Sequence, residues 1–130
     1  MDDEIFKALV DEAIFDIPEE FVSKLENVSI VIADLPSKHQ LEKVRAKQNV
    51  GTLLGLYEGI PQTKRGRYGV GMTLPDKITI FKIPILSIAH DLNHLKEIVR
   101  NVVIHEIAHH FGMDEKSVRD AEKARPVKTN

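Results

Sequence analysis

The chain has no cysteine. Disulfide frameworks and cysteine-rich zinc sites are excluded, so any metal must be held by His, Asp or Glu. Long apolar runs are also missing. No window approaches 18 consecutive apolar residues, and none reads as a membrane span. Charge of one sign is not in excess: 18 Lys and Arg against 20 Asp and Glu leave a net charge of −2. That balance argues against a nucleic-acid or membrane surface. The one basic stretch, Lys64-Arg65-Gly66-Arg67, is too short to change this and reads as a solvated loop. Repeats and low-complexity segments are absent. The start, Met1-Asp2-Asp3-Glu4, lacks the basic region and apolar run of a signal peptide, so a cytoplasmic location is expected.

What remains is an ordinary folded composition. With 130 residues, 42% hydrophobic and 29% charged, the chain suits a single domain, 1–130, with its own core. Asp2 or Asp3 can cap a first helix carrying Ile5, Leu9, Val10 and Ile14 inward. Pro18 suits the first turn of a second helix, with Phe21, Val22 and Leu25 inward. Val28–Ala33, Thr52–Tyr57 and Lys77–Ile83 read as strands. Gly55 within the second strand predicts a bulge or a close backbone approach. Residues 37–47 fit a short helix or a loop. Residues 62–76, with three glycines and Pro75, read as a long loop of the kind that often serves function. Asp91 can cap a long helix over 92–111, ended by Gly112, and Asp114 a last helix over 115–124. Strands among helices predict an α+β domain, a small mixed sheet of three to four strands packed against helices.

The long helix carries the chemistry. Residues 105–115 read His-Glu-Ile-Ala-His-His-Phe-Gly-Met-Asp-Glu. His105 and His109 lie one turn apart on one helical face, where two imidazoles can share a metal ion. Glu106 stands beside them as a base for a metal-activated water. With His105 at zero on a helical wheel, Ile98, Val102, Leu95, Val99, Leu92 and Val103 span about 20° to 160°. This stripe should face the sheet. Glu106 falls near its middle, at about 100°. A carboxylate is almost never buried without a partner, so the stripe opens into a cleft there or Glu106 has a specific partner. Gly112 turns the chain, and Glu115 follows as a possible third ligand. Two imidazoles, a carboxylate and an open fourth position form a catalytic zinc arrangement.

With these residues the sequence resembles the zincin metallopeptidases, and more specifically the minimal zincin family. The segments Leu53–Pro61, Leu74–Ile80 and His105–Gly112 carry the likeness, which extends over about residues 18–120. The resemblance implies a zincin-like α/β domain and a Zn2+-dependent peptidase site. It assigns the metal to His105 and His109 and the base to Glu106. It places the third ligand at Glu115, where such proteins usually carry aspartate; Asp114 next door and, more weakly, Glu122 are alternatives. Larger zincins build a downstream methionine turn beneath the metal, but only 18 residues follow Gly112 here. The substrate cleft must therefore come from upstream. By analogy the strand over Thr52–Glu58 is an exposed edge where an extended peptide adds, covered by the 62–76 loop.

The expected function is a zinc metallopeptidase that hydrolyses peptide bonds in a peptide or protein substrate. The alternative is a zincin-fold binding module with a vestigial or metal-only site. A third reading makes His105, Glu106 and His109 a metal-free buried network. Among the other histidines, His110 reads as a packed or second-layer residue, and His94 lies roughly 16 Å up the helix, too far for the same ion. His39 and His90 read as surface residues. Tyr57 and Tyr68 read as core or surface aromatics, with oxyanion stabilisation as the sharper alternative.

Overall fold

The computed structural model describes residues 1–46, 53–59 and 74–124. Over these residues the fold is α+β, with six α-helices and a three-stranded mixed sheet. Helix α1 (Asp3–Phe15) is capped by Asp2, whose carboxylate accepts from the Glu4 N–H at 2.7 Å. Its inward face is Phe6, Val10 and Ala13, continued by Ile17. The sequence expectation put Ile5 inward, yet Ile5 is exposed. The 6, 10, 13, 17 spacing is the stripe that meets the central helix, and Phe6 rather than Ile5 leads it. Helix α2 (Glu19–Val22) follows Pro18 and passes into a 3-10 turn over Ser23–Leu25.

Strand β1 (Val28–Ala33) pairs parallel with β3 (Asp76–Phe81), and β2 (Gly55–Glu58) pairs antiparallel with β3, giving the order β1-β3-β2. Residues 38–46 between β1 and β2 are helical, α3 (Lys38–Ala46), which resolves the helix-or-loop alternative. The Thr52 end of the expected second strand lies outside the described residues, as does most of the 62–76 loop. Along β3, Ile78 and Ile80 enter the main core, while Thr79 and Phe81 are buried on the other face. The third strand ends at Phe81, two residues earlier than expected, because α4 (Lys82–Ile88) starts at once. Pro84 sits in its first turn, where a missing N–H costs nothing. The Lys82 ammonium is buried and donates to the Met1 carbonyl and the Asp3 carboxylate, tying the amino end to α4.

Helix α5 (Leu92–Phe111) is the spine of the domain, and α6 (Glu115–Lys123) folds back along it. The sheet-facing stripe is only half of what α5 buries. Arg100, Ile104, Ile107 and Ala108, at about 200° to 300° on the wheel, are also buried, on the side packed against α1 and α6. A helix enclosed this way has apolar residues almost all round. The strip that includes Val102, His105, Glu106 and His109 is the exception: none of these four is fully buried. It faces β2 and the open surface.

Candidate active site

The site is built where the carboxyl half of α5 passes the edge of the sheet. Asp91 fixes the start of α5 by accepting from the His94 N–H at 2.7 Å. Gly112 ends it with φ 66°, a left-handed conformation, and the Met113 N–H returns to the Ala108 carbonyl at 2.9 Å. Asp114 then caps α6 through the Ser117 N–H at 2.8 Å. That hydrogen bond holds the Asp114 carboxyl below its ordinary value. This tight reversal sends α6 back antiparallel to α5, and its last turn arrives beside His105.

Glu122 is the residue that arrives. Its Oε1 lies 3.0 Å from the His105 Nε2, and both side chains are partly exposed. Glu106, one residue on, points to the sheet instead. Its Oε1 accepts from the Tyr57 N–H of β2 at 2.8 Å. The partner expected from the wheel is thus an edge-strand amide, a charge-assisted hydrogen bond. β2 comes this close because residue 55 is glycine. A Cβ there would meet Val102 Cγ1 at 2.4 Å and the Thr79 carbonyl at 3.1 Å. The expected close approach therefore holds.

Two cavities meet at Glu106. One, of about 390 Å³, is walled by Leu53, Leu54, Ile88, Ile98 and Val102 and reaches His105 and Glu106. The other, of about 460 Å³, holds Glu106, His109, His110, Tyr57 and Glu58. The His110 ring stacks on Tyr57 with centroids 3.9 Å apart, and the Tyr57 hydroxyl donates to Asp76 Oδ2 at 2.7 Å. The His110 ring thus packs on Tyr57 with Asp76 4.0 Å from its Nε2, and the Tyr57 hydroxyl is engaged by Asp76. Burial would raise the Glu58 carboxyl, but hydrogen bonds from Gln40 and Lys43 outweigh it and hold it below its ordinary value. His94 stacks on His90 at the far end of α5, away from this site.

The other carboxylates of the turn stand apart. The Glu115 side chain is 94% exposed and pairs with Arg119 one turn on, at the far end of α6 from Glu122, and Asp114 is engaged as a cap. Sequence reasoning also passed over Arg100, a buried guanidinium one helical face away from His105. Its signal was legible: an arginine between Ile98-Val99 and Val102-Val103-Ile104 is out of place on a buried face unless it has buried acceptors.

The sequence pattern of a zincin-like metallopeptidase family matches residues 25–124, most of the chain. The chain belongs to this zincin-like metallopeptidase family. A comparison with curated proteins finds no match. Membership supports a metallopeptidase role and, in general, zinc dependence.

Does this zincin-like site fit zinc? Its donor chemistry does: imidazoles from adjacent turns and a carboxylate are ordinary zinc ligands. The 3.0 Å between His105 and Glu122 is close to the about 3.3 Å that separates two ligand atoms around a tetrahedral zinc. Among the described residues, however, no three such side chains converge as a ready-made metal cage. The structure brings His105 and Glu122 together; His109 lies one turn on and Glu115 does not join them. No described helix is long and apolar enough to cross a membrane.

Proposed function

We propose that this chain is a zinc-dependent peptidase that hydrolyses peptide bonds. His105 and His109 hold the metal. A carboxylate of α6 completes the set, and the contact with His105 favours Glu122 over the sequence-expected Glu115. When bound, zinc lowers the pKa of a water and polarises the scissile carbonyl. Glu106 takes the proton of the attacking water and returns it to the leaving amine nitrogen. The Tyr57 N–H holds one carboxylate oxygen of Glu106 at 2.8 Å, which orients the other for this transfer. A peptide lies across the two cavities that meet at Glu106, beside β2, whose outward Tyr57 N–H is engaged by Glu106. A single cytoplasmic domain acting on peptides or proteins is the simplest setting.

The observation that carries this reading is that α5 meets α6 and β2 through adjacent residues, with His105 against Glu122 and Glu106 against Tyr57. The test is bound zinc and cleavage of a broad peptide library. Wild type is expected to bind zinc and cleave, Glu106→Gln to bind but not cleave, and Glu122→Gln to lose more zinc than Glu115→Gln. Zinc-replete wild type that cleaves no peptide overturns the catalytic reading. The absence of a preformed three-ligand cage among the described residues favours a second reading, a metal-binding or peptide-binding module without turnover. Zinc occupancy and peptide binding with no cleavage would establish it.

A further inference from the structure

We propose that Arg100 is a positioning residue that sets the Glu122 carboxylate against His105 by clamping the carboxyl end of α6. The inference rests on the reading of His105 and Glu122 as metal ligands. The Arg100 side chain is 4% exposed. Its Nη1 donates to the Glu122 main-chain carbonyl at 3.1 Å, and its Nη2 to the carbonyls of Ala121 and Ala124. Its Nε reaches the Asp16 carbonyl at 3.3 Å, just past the end of α1. These acceptors sit at the carboxyl ends of two helices. Such ends carry partial negative charge and carbonyls with no partner inside their own helix. A buried cation is costly unless its charge and donors are met, and here two helix ends meet them.

Arginine is the side chain that suits this position. A planar fork of donors spans several carbonyls at once, whereas an ammonium is a compact point charge. The clamp is also well placed for the site. Arg100 and His105 belong to one helix, about 7.5 Å apart along its axis. The carbonyl and the carboxylate of Glu122 are thus both referred to α5, the first through Arg100 and the second through His105. Without the clamp, the last turn of α6 is a helix end free to fray. The ligand would then have to be ordered again on each binding event.

Cobalt(II) serves as the probe, with affinity and visible absorption measured for wild type, Arg100→Met, Arg100→Lys and Glu122→Gln. Thermal unfolding and Zn2+ affinity by equilibrium dialysis accompany them. Arg100→Met is expected to weaken Co2+ by about 10- to 100-fold, the usual effect of removing a support behind a ligand. Arg100→Lys should fall between it and wild type. In a Glu122→Gln background, Arg100→Met should cost nothing more, since the residue it positions is gone. A control, Val118→Ala, trims a buried side chain of α6 without touching the clamp. It should lower the melting temperature and leave affinity within about twofold. Equal affinity of Arg100→Met and wild type overturns the proposal, and so do effects of Arg100 and Glu122 that multiply independently. If Arg100→Met does not fold, Arg100→Lys carries the same comparison. A wild type that binds neither Co2+ nor Zn2+ would refute the metal reading and the proposal built on it. Metal bound with Glu122 dependence but no Arg100 dependence refutes this proposal alone.

Discussion

Adding a single methyl group at residue 55 should prise the sheet edge from the central helix. In Gly55→Ala the new Cβ would lie 2.4 Å from Val102 Cγ1, against 3.4 Å for ordinary contact, so about 1 Å must be opened. Val102 cannot simply swing aside, because a β-branched residue within a helix has one strongly preferred χ1. The Thr79 carbonyl, at 3.1 Å, blocks retreat in the plane of the sheet. Overpacking of this kind costs typically about 1–3 kcal/mol. Against it stands the entropy that alanine removes from the unfolded chain, about 0.4–1 kcal/mol. The net expectation is a loss of about 1–2 kcal/mol, read from urea unfolding midpoints at unchanged slope. The double variant Gly55→Ala/Val102→Ala removes the obstructing Cγ1. It should be more stable than the two single effects added together predict, by at least about 0.5 kcal/mol. The opening should also stretch the contact between Glu106 and the Tyr57 N–H, so cleavage should fall in the single variant and partly recover in the double. A single variant as stable as wild type, or strictly additive effects, would refute the close-approach argument.

Gly112→Ala places a side chain at φ 66° with nothing within 4 Å of its Cβ, so the whole cost is backbone strain, about 1–2 kcal/mol in a thermal or urea melt. Acidification should act through Glu58. Its folded carboxyl lies below the ordinary 4.5, so its stabilising bonds to Gln40 and Lys43 are fully present above that pH and are lost as pH falls through the folded value. Urea midpoints between pH 3 and 6 should therefore drop on acidification, and Lys43→Met should flatten that slope. Chelation of zinc should abolish peptide cleavage and lower the melting temperature, and restored Zn2+ should reverse both; a cleavage activity indifferent to chelators would remove the metal from the reaction.

The elements with clean local signals were legible in the sequence. Asp91 and Gly112 bound α5, Asp114 starts α6 and Pro18 opens α2, because caps and glycine or proline positions act within a few residues of themselves. Glu106 was legible as a carboxylate in need of a partner, since helix geometry alone puts it on the stripe toward the sheet. Other features depend on what lies across a gap. The inward face of α1 turned on which residue, Ile5 or Phe6, meets α5. The second buried side of α5 depends on α1 and α6 packing against it, so a stripe drawn toward the sheet alone omitted Ile104, Ile107 and Arg100. Glu115 is nearer to the histidines in sequence than Glu122. Glu115 and Glu122, seven residues apart, share one face of α6 and differ in position along its axis by about 10.5 Å. Yet the return of α6 along α5 brings the Glu122 end, and not the Glu115 end, to His105. Sequence by itself determined the donor types and their helix, because side-chain chemistry and a period of 3.6 are local. Tertiary structure alone decided which carboxylate meets His105 and which edge amide holds Glu106, because both lie on separate elements placed only by the packing of the core.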